Sequence, residues 1–477
     1  MNWWMSNFFS ELDLSSIIRH SDDLLQIARF FSQEKGTCFL YSGGKFPLSQ
    51  KSFLCVFPFA SISIEAALQR KYWQGDILSP LELQLDNPWD ALKQFLEEPS
   101  SDEPIPRWVG YLGYEMGAYS DPDIQLDYVQ PVIPLAFFQQ FACTLIFDHQ
   151  LEKCDLWINE NSFSFLNSSQ QSKVLELNNI SNWLSIRDQA YSFVPKRKVA
   201  PLKYKNQPKR SEAYMDHVQK AQELIENGEI YQINLSQSFA FQGKRDGFEL
   251  FYQLAKQNPA PYSGYWDLPF CSIVSSSPEK FLKKQSQTLS TEPIKGTAPR
   301  GTTAIEDFHN REKLLSSEKE NAELLMITDL MRHDLGKVSL PGSIKVNPDW
   351  NCYAYQNVFH LSSTIESIPF SSMHDLDIVR TCFPGGSITG CPKIRAMQHI
   401  YDFEKRARGI YTGSLGYFSH NGDFDFNIAI RSIVLTDLGI ETALGAGIVA
   451  DSNALHEYQE ILCKGKSIFE ILDISIS

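Results

Sequence analysis

The stretch GIYTGSLGYFSHNGDFDFNIAIRSIVL, residues 409–435, alternates apolar and polar residues on both sides of an Asn-Gly pair. Side chains on a strand point to opposite faces with period two, so this pattern predicts a β-hairpin. Asn421–Gly422 at its tip predicts a type I′ turn, because both residues tolerate a positive φ. The alternation puts Phe424, Phe426, Ile428 and Ile430 on one face. Asp425, Asn427 and Arg431 share the other, where Arg431 could line a polar cavity beneath the sheet. IYQINLSQSFAF (230–241) is also strand-like, and GYLGYEMGAY (110–119) and CTLIFDHQLEKCDLWI (143–158) read as strands and turns.

Helical spacing appears between these strands. Met215, Val218, Ala221 and Ile225 recur along one helix, with Ser211 as its expected N-cap and Gly228 as its stop. REKLLSSEKENAELLMITDLMRHDLGK (311–337) reads as one long helix whose apolar stripe is Leu324, Ile327, Leu330 and Met331. Glu320 and Glu323 project from that stripe and not from the solvated face. A second helix near 454–472 repeats the arrangement, with Glu457 and Glu460 at i, i+3, then Lys464, beside Ile461, Ile468 and Leu472. Burying a carboxylate is costly unless a cation accompanies it. Two such helices facing each other could hold one hard divalent cation, and oxygen donors without histidine suit Mg²⁺ best. A pair of salt-bridged helices would have the same spacing.

The totals narrow the function. The 477 residues, 43% hydrophobic and 21% charged, are those of a folded globular protein. A formal net charge of −14 excludes general nucleic-acid binding, and an acidic ligand must find its positive charge locally. The nine cysteines are scattered without a CxxC pair, which signals neither a zinc site nor a disulfide framework. MNWWMSNFFSELDL at the start lacks the basic region of a secretion signal, and no apolar run reaches membrane-spanning length, so a cytoplasmic protein is expected. Residues 189–211 hold seven Lys or Arg, no acid, and Pro195, Pro201 and Pro208. This segment is expected to be a linker between an N-terminal region (1–188) and a catalytic domain (212–477).

Two glycine-rich stretches remain. CFPGGSITGCPKIRAM (382–397) has P-loop glycine spacing, but Lys393 comes late, Pro392 removes a backbone donor and no Ser or Thr follows the lysine. A nucleotide site is therefore disfavoured, and a general anion site at the helix start stays open. TEPIKGTAPRG (291–301) is stiff and turn-rich, and its Lys295 in isolation reads as a solvated loop charge.

Taken together, PIKGTAPRG (293–301), ENAELLMITDLMRHDLGKV (320–338), FHLSSTI (359–365), FPGGSITGCPKIRAM (383–397) and GAGIVADSNALHEYQEILCKG (445–465) resemble the chorismate-utilising enzymes. The match is dense over 205–470 and looser before it, chiefly through FLYSGG and GYLGYEMG, where the region is similar to the N-terminal part of anthranilate synthase component I. The resemblance implies an α+β fold, two antiparallel β-sheets packed as a sandwich with helices outside. It also implies that chorismate and Mg²⁺ share one site. Glu323 and Glu460 then match direct metal ligands, with Glu320 and Glu457 acting nearby or through water. Tyr411, Arg431, Gly447 and Lys464 match positions that hold the enolpyruvyl carboxylate. Glu279 matches a general acid at the C4 hydroxyl, and His360 an active-site histidine.

Two positions divide such enzymes by reaction. Members that add water carry a lysine base where this chain has Gln232, which cannot take a proton, so hydration is disfavoured. Lys295 of PIKGT resembles the aminodeoxychorismate synthase pattern, whereas anthranilate synthases typically read PIAGT. The resemblance thus implies conversion of chorismate and ammonia to 4-amino-4-deoxychorismate, for p-aminobenzoate and folate, with Lys295 as a covalent nucleophile. Arg300 either shares that cationic neighbourhood or braces its loop. No cysteine has the setting of a glutaminase nucleophile, so ammonia is expected from a separate glutamine amidotransferase subunit. Anthranilate synthase component I is the alternative activity, and a catalytically silent binding subunit a more distant one.

Overall fold

The computed structural model describes residues 12–475, apart from 45, 76, 80–86, 97–100, 125, 127, 194–199, 206–209, 348 and 356–357. Its framework is a long two-stranded ribbon, Lys51–Ile64 paired antiparallel with Ala136–Asp148 from one end to the other. The ribbon changes register between Pro58 and Ala60, next to Phe57, which is held at φ +59°. Such an irregularity bends a strand and raises its twist, and here the two halves of the ribbon acquire different neighbours.

One half extends a sheet through Cys38–Tyr41, Tyr262–Asp267, Ser272–Ser277, Ser432–Thr436, Gly439–Ile448 and Gln232–Gln242. The other extends through Pro106–Leu112, Ser414–Ser419, Phe424–Asn427, Lys280–Gln285 and Thr288–Glu292. Every one of these pairings is antiparallel. A separate three-stranded sheet joins Ile294–Pro299, Val358–Ser362 and Asn351–Ala354. This is the expected α+β arrangement of antiparallel sheets with helices against them. Residues before position 189 complete both large sheets, since Cys38–Tyr41 pairs with Tyr262–Asp267 and Pro106–Leu112 with Ser414–Ser419.

Several local expectations are corrected. The hairpin tip is not type I′: of Asn421 and Gly422 only the glycine is left-handed, at φ +83°. The Gly422 N–H donates to Ser419 O at 3.3 Å and the Ser419 N–H to Asp423 O at 2.7 Å, closing a three-residue loop. The expected 311–337 helix is two helices, Ala304–Leu315 and Glu318–Gly336, because Ser317 caps the second by accepting from the Glu320 N–H. The 454–472 helix likewise divides into Ala454–Lys464 and Lys466–Ile471 around Gly465. Ser211 lies inside the helix Arg210–Glu226 and not at its cap, and Tyr214 replaces Met215 in the buried stripe with Val218 and Ala221. Gly228, at φ +75°, ends that helix as expected.

The expected linker begins inside the helix Ile180–Ser192, and its Lys203–Tyr204 pairs with Phe241 and Gln242. Pro195 and Pro208 lie outside the described residues. All nine cysteines are unpaired. Among the described residues no helix is long and apolar enough to cross a membrane.

Candidate active site

The strand Ile294–Pro299 carries Lys295, and its pairing with Val358–Ser362 slips between Lys295 and Thr297. The extra residue is Gly296, at φ +71°, so this is a β-bulge with a left-handed glycine. A Cβ at Gly296 would lie 3.2 Å from a carboxylate oxygen of Glu320, on the helix Glu318–Gly336 that packs across the strand. The bulge therefore lets the acidic helix approach while Lys295 turns inward.

Lys295 Nζ comes to rest over Gly447, together with the side-chain amide of Gln232. A Cβ at Gly447 would meet the lysine nitrogen and Gln232 Nε2 at 2.8 Å each. Both polar atoms of the Gln232 amide are buried without a hydrogen-bond partner. Two orphaned groups on one side chain are costly in a core and are natural where a ligand completes them. The Lys295 ammonium is held below its ordinary pKa by burial, against the pull of Glu323 and with help from Lys464.

Glu279 closes the other side. It is buried, its carbonyl accepts from the Ile428 N–H at 3.0 Å, and Oε1 has no partner. Burial raises its pKa, while Ser387, Lys295, the Ile294 N–H and Arg431 oppose the rise. A carboxyl that keeps its proton longer is suited to donate it.

Arg431 reaches this site by a route that alternation did not foresee. The strand Phe424–Asn427 ends before it, and Arg431 adopts φ +51°. Its guanidinium approaches His360 Nε2 at 3.3 Å. Arginine only donates, so Nε2 is the acceptor and the proton sits on Nδ1, which lies 3.3 Å from Gly296 O and 3.2 Å from Thr297 Oγ1. Burial and then Arg431 push the His360 pKa down to about 3, which keeps the ring neutral. Asp425 and Asn427, expected on the same face as Arg431, instead line a separate cavity with Tyr262, Lys283 and Tyr417.

Two residues along the strand Gly439–Ile448, Gly445 repeats the role of Gly447. A Cβ there would meet the Tyr411 hydroxyl at 2.5 Å. Lys464 donates to Gly445 O at 3.3 Å and pairs with Glu460 at 2.7 Å. The helix Ala454–Lys464 packs on this strand and presents Glu457, buried and bonded to Ser452 Oγ at 2.7 Å, and Glu460, whose side chain is 54% exposed.

Across the two helices Glu320 and Glu460 lie close enough to repel each other. Glu320 is pushed above the usual carboxylate range by burial, then by Glu323, with Glu460 adding to it. Glu457 is raised by burial and by Glu460. Glu460 is drawn down because Lys464, Lys295 and Lys319 outweigh its partial burial. Among the described residues no three such side chains converge closely enough to form a ready metal cluster, Glu460 being turned to Lys464 and Glu323 standing 3.9 Å from Lys319. The donor set itself, oxygen-only and mutually repelling, fits a hard divalent cation.

Other residues resolve differently. Arg300 braces its loop: it forks onto Asp307 at 2.7 and 2.8 Å, donates to Tyr355 O and lies over the Phe359 ring. Lys393 is turned inward to Asp334 at 2.6 Å and Cys382 O, which removes it from any anion site at that helix start. Sequence reasoning missed the pair Glu404–Arg408, almost fully buried behind Tyr411 and joined to Ser236. It also missed Ser363, whose buried hydroxyl lacks a partner, and Ser387, which bonds to the Glu279 carboxyl. Both serines stood in quoted motifs, so that signal was available.

A family model described as "chorismate binding enzyme" matches residues 38–470. The chain belongs to the chorismate-binding enzyme family. This chorismate-binding enzyme is 33% identical over 423 residues to an anthranilate synthase component 1 of Lactococcus lactis subsp. lactis, covering 87% of this chain and 91% of that protein. It is 34% identical over 402 residues to an aminodeoxychorismate synthase component 1 of Escherichia coli, covering 81% and 83%. Among solved structures it is similar to anthranilate synthase component I from Streptococcus pneumoniae, with a TM-score of 0.73, 28% identity and coverage of 89% and 93%.

Proposed function

We propose that this enzyme is component I of an aminodeoxychorismate synthase, converting chorismate and ammonia to 4-amino-4-deoxychorismate for p-aminobenzoate and folate synthesis. The observation that carries the reading is Lys295: an amine drawn inward by a glycine bulge, lowered in pKa by burial, and set beside Gln232 and Glu279. A neutral amine is the form that can attack. Lys295 Nζ bonds to C2 of chorismate, both ring double bonds shift along the diene, and the C4 hydroxyl leaves as water with the proton of Glu279. Ammonia then bonds to C4, both double bonds shift back and the C2–Nζ bond breaks, its electron pair leaving with the nitrogen. The proton shed by ammonia restores Glu279 or the lysine.

The other residues bind and orient. Tyr411, Arg431 and Lys464, over the bare backbone of Gly447, would hold the enolpyruvyl carboxylate, and neutral His360 would keep Arg431 in place. Gln232 offers hydrogen bonds but cannot generate hydroxide from water, which supports ammonia over water as the incoming group. Glu323 and Glu460 would hold Mg²⁺, with Glu320 and Glu457 close by or acting through water. When bound, the ion would offset part of the charge of the four acids and favour the ring carboxylate there. A separate glutamine amidotransferase subunit, in the cytoplasm, would supply the ammonia.

Anthranilate synthase component I is the second reading, favoured by relatives of both names at nearly equal identity. Incubation with chorismate, Mg²⁺ and ammonium, followed by product identification, decides between them. 4-Amino-4-deoxychorismate is expected, and fluorescent anthranilate as the direct product would overturn the proposal. With glutamine alone the purified chain should turn over far more slowly than with ammonium; equal rates would refute the separate subunit.

A further inference from the structure

Behind Tyr411 lies a second cavity, of about 320 Å³, that none of the chemistry above uses. Its floor is the outer end of the strand pair Ser432–Thr436 and Gly439–Ile448, with Val434, Ile440 and Ala443. One wall is Val129–Ile133 and the other Arg406–Tyr411. The volume and mostly apolar lining suit a small organic ligand.

Charge says which kind. Lys205, Arg406 and Arg408 line the cavity, against Glu441 in its wall and Glu404 beneath. Glu404 is shared by the two arginines, at 3.3 Å and 2.7 Å, and Glu441 accepts from Ser238 at 2.6 Å. One positive charge is left in excess, in a chain of net −14. Lys205 stands at the rim, exposed, donating to Leu438 O at 3.3 Å.

The wall Arg406–Tyr411 also belongs to the catalytic site, because Tyr411 lines the cavity with its residue and sets its hydroxyl over Gly445. The segment is held from behind: Glu115 accepts from the Arg408 and Gly409 N–H groups at 2.7 and 3.1 Å, and Tyr114 donates to Gly409 O at 2.8 Å. The next residue, Thr412, is β-branched and sits at φ +62°. A β-branched residue in that region is strained and persists only while its surroundings enforce it. Ala443, Gly445 and Gly447 share one face of the same strand, so cavity floor and catalytic floor are continuous.

We propose that this cavity is an effector site for a small aromatic carboxylate, which acts through the Arg408–Thr412 segment on the Tyr411 side of the chorismate site. The inference uses only the family's substrate and holds whichever amination product forms.

Benzoate and its neutral analogue benzamide are the probes, titrated calorimetrically into the full chain. Benzoate should bind saturably and benzamide at least about tenfold more weakly. Lys205→Gln and Val434→Trp should each weaken benzoate at least about tenfold, one by charge and one by filling. Arg431→Gln should leave benzoate binding unchanged. Saturating benzoate should raise KM for chorismate in the wild type and not in Lys205→Gln. Absence of benzoate binding, equal binding of benzamide, loss of binding in Arg431→Gln, or a KM that ignores bound benzoate would each overturn the proposal. The Lys205→Gln and Val434→Trp arms, which touch no catalytic residue, separate a second site from benzoate occupying the catalytic one.

Discussion

Two buried polar clusters lie on opposite sides of Tyr411, and they are built by opposite rules. Behind it, Arg408 donates to Glu404, Ile388 O and Asn234 O, while Glu404 also accepts from the N–H and hydroxyl of Ser236. In front of it, both polar atoms of Gln232 and one oxygen of Glu279 have no partner. The first cluster is complete without a ligand; the second is completed only by one. Burial alone therefore does not mark a functional charge here. Unmet hydrogen-bonding capacity gathered on neighbouring side chains does, whereas single unmet groups also occur elsewhere, as at Trp108 and Tyr214.

The largest effect should come from breaking the open cluster. Lys295→Ala should lower turnover of chorismate with ammonium on the order of a thousandfold, about 4 kcal/mol of barrier. Removing a half-buried amine leaves no orphan behind it, so the melting temperature should hold or rise. Steady-state kinetics beside a thermal melt checks both halves. A large loss of stability would mean that Lys295 belongs with the structural ion pairs.

The closed cluster should respond the other way round. Arg408→Met leaves Glu404 buried without its main cation and should cost about 3–5 kcal/mol of stability, seen as a lower denaturant midpoint. Burial is already outweighed at Glu404 by Arg408 and Arg406, which hold its pKa below the usual value. Any fall in activity should track the folded fraction, apart from a rise in KM through Tyr411.

A smaller effect belongs to His360, which stands between the two kinds. Its partners are complete, yet burial and Arg431 hold its pKa at about 3, well under the ordinary 6.5. The unfolded chain therefore binds a proton that the folded chain refuses. Stability from this group is full above pH 6.5 and is lost as pH falls toward 3, by at most about 1.4 kcal/mol per pH unit. Denaturation midpoints measured between pH 7 and 4 should slope less steeply in His360→Gln. An unchanged slope would place the acid sensitivity elsewhere.

How much of this contrast was legible beforehand depended on scale. Periodicity is local, so the strands around residues 230–241 and 409–435 and the acids at i, i+3 on two helices could be read directly. Positions governed by one backbone dihedral could not. The Gly296 bulge that aims Lys295 and the left-handed Arg431 both break the alternation on which strand reading rests. Ser317 was readable in principle: Ser-x-x-Glu is a helix start, and the apolar stripe running past it hid the break. Glu404 and Arg408 look like any solvated pair one helical turn apart, and only the packing of Tyr114 and Tyr411 around them makes them core.

The smallest effect tests the contrast from outside it. Arg300 lies only five residues beyond Lys295, in the same PIKGTAPRG motif, and its chemistry would suit an anionic substrate. It is nevertheless spent on its own loop, in a two-pronged pair with Asp307 whose side chains are 34% and 24% exposed. Exposed pairs contribute little because water screens them, about 0–1 kcal/mol even with good geometry. Arg300→Ala should therefore shift stability by no more than about 1 kcal/mol and change KM for chorismate less than about threefold. A tenfold or larger rise in KM would show that the loop opens and lends this guanidinium to the substrate. The partnered state would then be a resting arrangement, and completeness of hydrogen bonding would no longer separate the structural charges of this enzyme from its working ones.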